Sequence, residues 1–197
     1  MRVLWRTTAL AAAALVGAAV PTRTAQADIL PVVNTPTITS VSGGFNWSYD
    51  IFLTVDQMLM TGDNFTIYDF GPGTIVSVPS TNWSVSTDPF APATGTSSTG
   101  TVTPTQTSAL NWTFTWTGAP TAGGPTDLGN FVIFSTVGTP TTGSFLGRGT
   151  DLSDKLQNAN LTNTMVPVTT PEPASLVLLG TGIFGLVGFA ARRKRLS

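Results

Sequence analysis

The stretch 45–55 alternates strictly enough to admit one secondary structure. Phe45, Trp47, Tyr49, Ile51, Leu53 and Val55 fall on one face. Asn46, Ser48, Asp50 and Thr54 fall on the other, with Phe52 the exception. Side chains on a strand point to opposite faces with period two, so this pattern makes a half-buried strand and leaves no continuous stripe for a helix. Residues 110–117 repeat the design, with Leu110, Trp112, Phe114 and Trp116 inward and Asn111, Thr113, Thr115 and Thr117 outward. Residues 131–137 are apolar on both faces, as in a more buried strand. Shorter strands are expected at 37–42, 65–70, 74–78, 83–86 and 99–103. Turn residues separate them: Ser42-Gly43-Gly44, Thr61-Gly62-Asp63-Asn64 and Gly71-Pro72-Gly73. Residues 88–98 and 118–129 read as Pro/Gly/Ser/Thr loops. The one candidate helix is 151–158, which Asp151 or Ser153 would cap. Residues 160–170 read as a polar linker. The fold class expected is mostly β: an antiparallel β-sandwich, Ig-like or jelly-roll-like, over residues 28–159.

Both ends of the chain carry a different kind of information. Arg2 and Arg6 precede an apolar core at 9–20, twelve residues and too short to span a bilayer comfortably. Ala25-Gln26-Ala27 then offers small residues where a signal peptidase reads them. Residues 1–27 are therefore expected to be a signal peptide, cleaved after Ala27, with the mature chain starting at Asp28. At the other end Pro171-Glu172-Pro173 is followed by an uncharged run, 174–191, and then by Arg192, Arg193, Lys194 and Arg195. The run of 18 residues rises ~27 Å as a helix against ~30 Å of hydrocarbon, so it reads as a transmembrane helix. The basic stop at 192–195 favours a cytoplasmic C-terminus. The two prolines deny helix to the segment before the membrane and keep it extended. Glu172 is the only glutamate in the chain.

This order of Pro-Glu-Pro, short hydrophobic helix and terminal basic cluster resembles the PEP-CTERM sorting signal of bacterial envelope proteins. The resemblance covers 171–197 and no more of the chain. It implies that the tail is a substrate of exosortase, a membrane-embedded cysteine protease-transpeptidase that recognises Pro171, Glu172 and Pro173 and removes the tail. It implies export through the inner membrane and sorting to the envelope or beyond in a Gram-negative bacterium, often one that makes exopolysaccharide. The partners expected are thus an exosortase-type enzyme, signal peptidase, the inner membrane for as long as the tail is retained, and exopolysaccharide.

The exported part narrows the chemistry. It holds nine aspartates against Arg148 and Lys155 alone, a net charge of −7 over 28–170. Such an acidic surface argues against nucleic acid and anionic membrane surfaces as partners. The chain has no histidine and no cysteine, which excludes imidazole-based triads, histidine-based zinc sites, disulfides and thiolate chemistry. Asp50, Asp56, Asp63 and Asp69 recur at six or seven residues, but a glycosidase needs two carboxyls facing one cleft, and turn or strand aspartates explain the pattern more simply. No cofactor is called for. Calcium is the one ion that turn aspartates and carbonyls suit, although no Asp-x-Asp-x-Asp-Gly loop is present. Trp47, Trp112 and Trp116 lie on apolar strand faces and are expected in the core. Trp83, between Asn82 and Ser84, is the tryptophan expected at the surface, where with Asp63 it would contact a sugar. Asn46, Asn64, Asn82, Asn111 and Asn160 each begin an Asn-x-Ser/Thr triplet, in a chain so rich in Ser and Thr that chance accounts for them. The reading is a non-enzymatic surface or matrix protein. The alternative is a carbohydrate-binding or adhesive module, and a carboxylate glycosidase comes third.

Overall fold

A computed structural model of the chain describes residues 29–90, 95–97, 100–107 and 109–168. The signal peptide expected at 1–27 and the tail expected at 171–197 lie outside these residues. The described chain forms strands and no helix. In order they are β1 (Ile29–Pro31), β2 (Thr37–Val41), β3 (Gly44–Leu53), β4 (Gln57–Met58), β5 (Asn64–Ile67), β6 (Thr74–Ser77) and β7 (Trp83–Asp88). There follow β8 (Gly95–Ser97), β9 (Gly100–Val102), β10 (Asn111–Trp116), β11 (Thr126–Ser135), β12 (Pro140–Asp151) and β13 (Gln157–Pro167).

Two antiparallel sheets carry the domain. In the first, β3 pairs β11 along one edge, and β11 pairs β6. The other edge of β3 is shared by β1 and β2. In the second the order is β13-β12-β5-β10-β7, with β4 also paired to β12. The small ribbon β8-β9 pairs with neither sheet and lies against β13. The alternation of β3 does what it dictates: Trp47, Tyr49, Ile51 and Leu53 are each no more than 1% exposed. They share one hydrophobic cluster with Phe65, Ile67, Trp112, Phe114, Phe131, Ile133 and Phe145, so the two sheets close on a common core. Phe65 sits at its centre. It stacks on Phe114 at 4.8 Å and on Phe145 at 5.3 Å within its own sheet, and meets Phe131 of the other sheet edge-on at 4.8 Å. Burying one such side chain contributes about 2 kcal/mol, and the aromatic geometry adds to it.

Four expectations about the elements need correction. First, β3 stops at Leu53, and Val55 is 61% exposed, because the chain turns there through Asp56 at φ 66° to cross to the second sheet. Second, the loop expected at 118–129 ends early, since β11 starts at Thr126. Its Asp127-Leu128-Gly129 is a bulge within the strand: the register slips between Asp127 and Gly129, Gly129 adopts φ 90°, and its N–H donates to Asp127 Oδ1 at 2.7 Å. In the same way β7 runs on to Asp88 and β8 falls inside the other expected loop.

Third, there is no helix at 151–158. The Asp151 carboxylate accepts the Ser153 N–H and hydroxyl, Asp154 Oδ1 accepts the Leu156 N–H at 2.9 Å, and Lys155 sits at φ 60°. Short aspartate side chains bonding the backbone two residues on make a turn here rather than a helix cap. That turn joins β12 to β13. Fourth, most of the linker expected at 160–170 is strand. β13 pairs β12 without interruption from Thr150↔Gln157 to Pro140↔Pro167, burying Ala159, Thr164 and Val166. The Val168 N–H then donates to the Thr139 carbonyl at 2.9 Å. Thr and Asn conceal this strand in the sequence, because threonine suits a pleated surface as well as a loop.

The sandwich therefore has two distinct ends. At one, the exit end, β2 turns into β3, β11 passes to β12 through 136–139, and β13 finishes. At the far end β3 crosses to β4 and β12 turns into β13. β1 enters at the far end, with Ile29 opposite Leu53, and β13 leaves at the exit end, with Pro167 opposite Pro140.

Candidate sorting site and the buried polar groups

Neither residue expected to touch a ligand at the domain surface is available to one. Trp83 is 6% exposed. Its ring meets Phe131 at 5.1 Å, Trp116 at 5.2 Å and Phe65 at 5.7 Å, all edge-on. Asn82 and Ser84 are exposed because they alternate with it, and β7 turns Trp83 inward opposite Trp116. Its polar neighbours marked the other face of a strand rather than an exposed tryptophan. The other tryptophans follow expectation more closely: Trp47 and Trp112 are buried, and Trp116 is half-buried against the same core. Their indole N–H groups donate to backbone carbonyls of Val137, Gly71 and Ala119, each at 3.0 Å.

Asp63 is 2% exposed and works as a junction. Oδ2 accepts the Met60 N–H at 2.8 Å, and Oδ1 accepts the Gln157 side-chain amide at 2.9 Å and the Thr150 hydroxyl at 3.1 Å. A buried carboxylate needs such partners to be tolerated. Asp69 does the equivalent work beyond the other end of β5. Its Oδ1 accepts the Thr107 N–H at 2.7 Å and hydroxyl at 2.8 Å, while its N–H donates to Asn111 Oδ1 at 2.8 Å. Asn111, read as outward, is fully buried. Its amide nitrogen donates to the Pro89 carbonyl and to Gln106 Oε1, each at 3.3 Å. Asp63 and Asp69 thus bracket the central strand β5 and tie loops to both its ends. The four extended residues of β5 alone put ~13 Å between them, beyond the ~5–9.5 Å of a glycosidase pair. Among the described residues no three His, Cys, Asp or Glu side chains stand close enough to hold a metal ion.

The shifted titrations are structural. Burial pushes the Tyr49 hydroxyl well above the usual tyrosine range, and that hydroxyl donates to the Met165 carbonyl at 2.8 Å. Burial also raises Tyr68, partly offset by the Arg148 guanidinium and the Thr66 hydroxyl. The Ser153 hydroxyl lowers Asp151 most. The N–H groups of Ser153 and Asp154 and the Lys155 charge act the same way, and desolvation opposes them.

Fold and side chains define an all-β antiparallel domain whose buried polar groups brace its loops, followed by a segment with the composition of a targeting tail. Residues 169–195 match the family model of the PEP-CTERM protein-sorting motif. The matched span holds Pro171, Glu172, Pro173, the apolar run and Arg192, Arg193, Lys194 and Arg195, and it opens one residue after Val168. The motif marks a protein exported to the cell envelope and targeted to exosortase. No curated protein matches the chain. The sorting residues, and Ala25 and Ala27 of the expected signal cleavage, lie outside the described residues.

Proposed function

We propose that this chain is a non-enzymatic envelope protein. It is exported by the signal peptide 1–27, matured at Asp28, and held in the inner membrane by 174–191 until an exosortase-type enzyme acts at Pro171-Glu172-Pro173. The released domain then resides at the cell surface or in an exopolysaccharide matrix. The observation that carries this reading is the sorting-motif match at 169–195. A tripeptide with a proline at each end, set between a folded domain and an apolar run, is a substrate that a membrane protease can bind. The burial of Ile29 at 0% exposure, two residues past Ala27, supports a mature start at Asp28.

The domain itself supports a jelly-roll winding. β3 pairs β11 and β5 pairs β10, while β6 and β7, consecutive in the chain, lie in different sheets, as in a long antiparallel ribbon rolled on itself. A fold of this kind hosts many functions, so it does not choose among them. What favours a non-enzymatic role is the use of Asp63 and Asp69 as braces. The carbohydrate-binding alternative has lost Trp83 and Asp63 as its contacts, and a glycan array probed with residues 28–168 tests what is left of it.

The deciding experiment replaces Glu172 by Ala in a host that makes a matching exosortase. Wild-type protein is expected to lose its tail, read as a mass shift, and to leave the inner-membrane fraction. E172A is expected to insert and stay, because the apolar run is unchanged. Wild-type protein that keeps its tail there would make 171–197 an ordinary anchor.

A further inference from the structure

We infer that the exit end of the sandwich is a membrane-facing surface, apposed to the outer headgroups of the inner membrane for as long as the tail is inserted. The inference rests on the tail reading above and deepens it. The Val168 N–H is still bonded to the Thr139 carbonyl, so the ordered domain reaches to within three residues of Pro171 and six of Ala174. Six residues extend at most ~21 Å, and the headgroup layer between them and the hydrocarbon takes roughly 5–8 Å of that. β12 alone, at 12 residues, runs ~40 Å along the sandwich. The tether is thus shorter than the domain. Laying the far end on the membrane would need the chain to reverse within residues 169–173, two of which are prolines, a residue type that restricts its own φ and its predecessor and so favours an extended path.

The surface at that end suits the position. The turn at 41–44 and the loop at 136–139 are built from Val, Ser, Gly and Thr without a charge. Phe90 is 80% exposed, and β7 delivers it to this end, since Asp88 at the strand's close lies opposite Asn111. Its N–H donates to Asp88 Oδ1 at 2.7 Å, which fixes the turn that presents it. A phenyl ring gains from entering a headgroup layer. The described cations, Arg148 and Lys155, lie in the far half beside Asn64 and next to the β12–β13 turn. Asp88 and Asp69 also lie at this end, so the contact is held by the tether and by apolar burial against a repulsion from anionic lipid. Added salt screens that repulsion and does not weaken the contact.

The test uses the absence of cysteine from the chain. Residues 28–197 carrying one dye-labelled cysteine, S42C at the exit end or T81C in the far turn between β6 and β7, are reconstituted into phosphatidylethanolamine–phosphatidylglycerol vesicles that contain a headgroup-quencher lipid. Flotation reports insertion of the tail, and quenching reports apposition. Both variants are expected to float, with quenching of S42C several-fold stronger than that of T81C at low and at high salt. F90S is expected to float equally and to weaken S42C quenching. Equal quenching at the two positions in floating protein overturns the apposition alone. Failure to float overturns the tail reading and the apposition with it.

Discussion

Asp63 holds a backbone N–H of its own turn with one oxygen and two side chains of the β12–β13 hairpin with the other. Asp63→Ala leaves the buried Thr150 hydroxyl and the half-buried Met60 N–H without a partner, while the exposed Gln157 amide turns to water. It is expected to cost about 2–4 kcal/mol, with Asp63→Asn costing less because one acceptor oxygen remains. Urea unfolding of both variants measures this, and an Ala variant as stable as the parent would show that the junction contributes nothing. Asp151 carries a pH dependence of definite sign. Its folded pKa lies below the usual aspartate value, so its turn bonds stabilise the hairpin above that ordinary value and are lost as pH falls through the lower, folded one. NMR titration of the Asp151 carboxyl is expected to give a midpoint below the usual aspartate range, with faster amide exchange at Ser153 below it. Neither role was legible in the sequence. The hydroxyl and amide that occupy Asp63 come from residues 87 and 94 positions away, and a turn aspartate with distant partners looks like one without any.

At the scale of elements, β3 and β10 were legible because an aromatic or aliphatic residue occupies every second position, and only a strand buries such a set on one face. β13 was not, because it is buried in part on both faces. Val166 joins the shared core on one, with Thr164 in step, while Ala159 and Leu161 join Tyr68 and Leu146 in a second small cluster on the other, so no simple alternation remains. The consequence is a boundary. A fragment ending at 159 lacks Val166, a member of the core, and removes the partner of β12, whereas one ending at 168 keeps both. The 28–168 fragment is expected to melt cooperatively and 28–159 to lack near-UV circular dichroism; a cooperative melt for the shorter one would restore the linker. Gly147 in β12 makes a second test. A Cβ there would fall inside van der Waals distance of the Ile29 carbonyl oxygen, a backbone atom with no easy way to yield. Gly147→Ala is therefore expected to destabilise the domain by about 1–3 kcal/mol in thermal unfolding.

For the whole molecule, two charge and cleavage predictions follow from its ends. Deleting Arg192 to Arg195 is expected to disturb tail orientation before processing, seen as protease accessibility of the C-terminus from the wrong side of the membrane. N-terminal sequencing of exported protein is expected to begin at Asp28, and material still beginning at Met1 would refute the signal reading. The Tyr49–Met165 hydrogen bond, spanning 116 positions, has a further consequence, and it concerns time. A fold built on such distant partners forms slowly, in the range of roughly milliseconds to seconds. Its first long strand emerges from the membrane far ahead of the strand that completes its core. During that interval the chain is an open sheet edge in a crowded compartment. If the run 174–191 inserts as proposed, it halts the chain just after the last strand has crossed. The sorting tail thereby acts as a clock as well as an address, keeping the nascent domain at one place until the first and last strands have met.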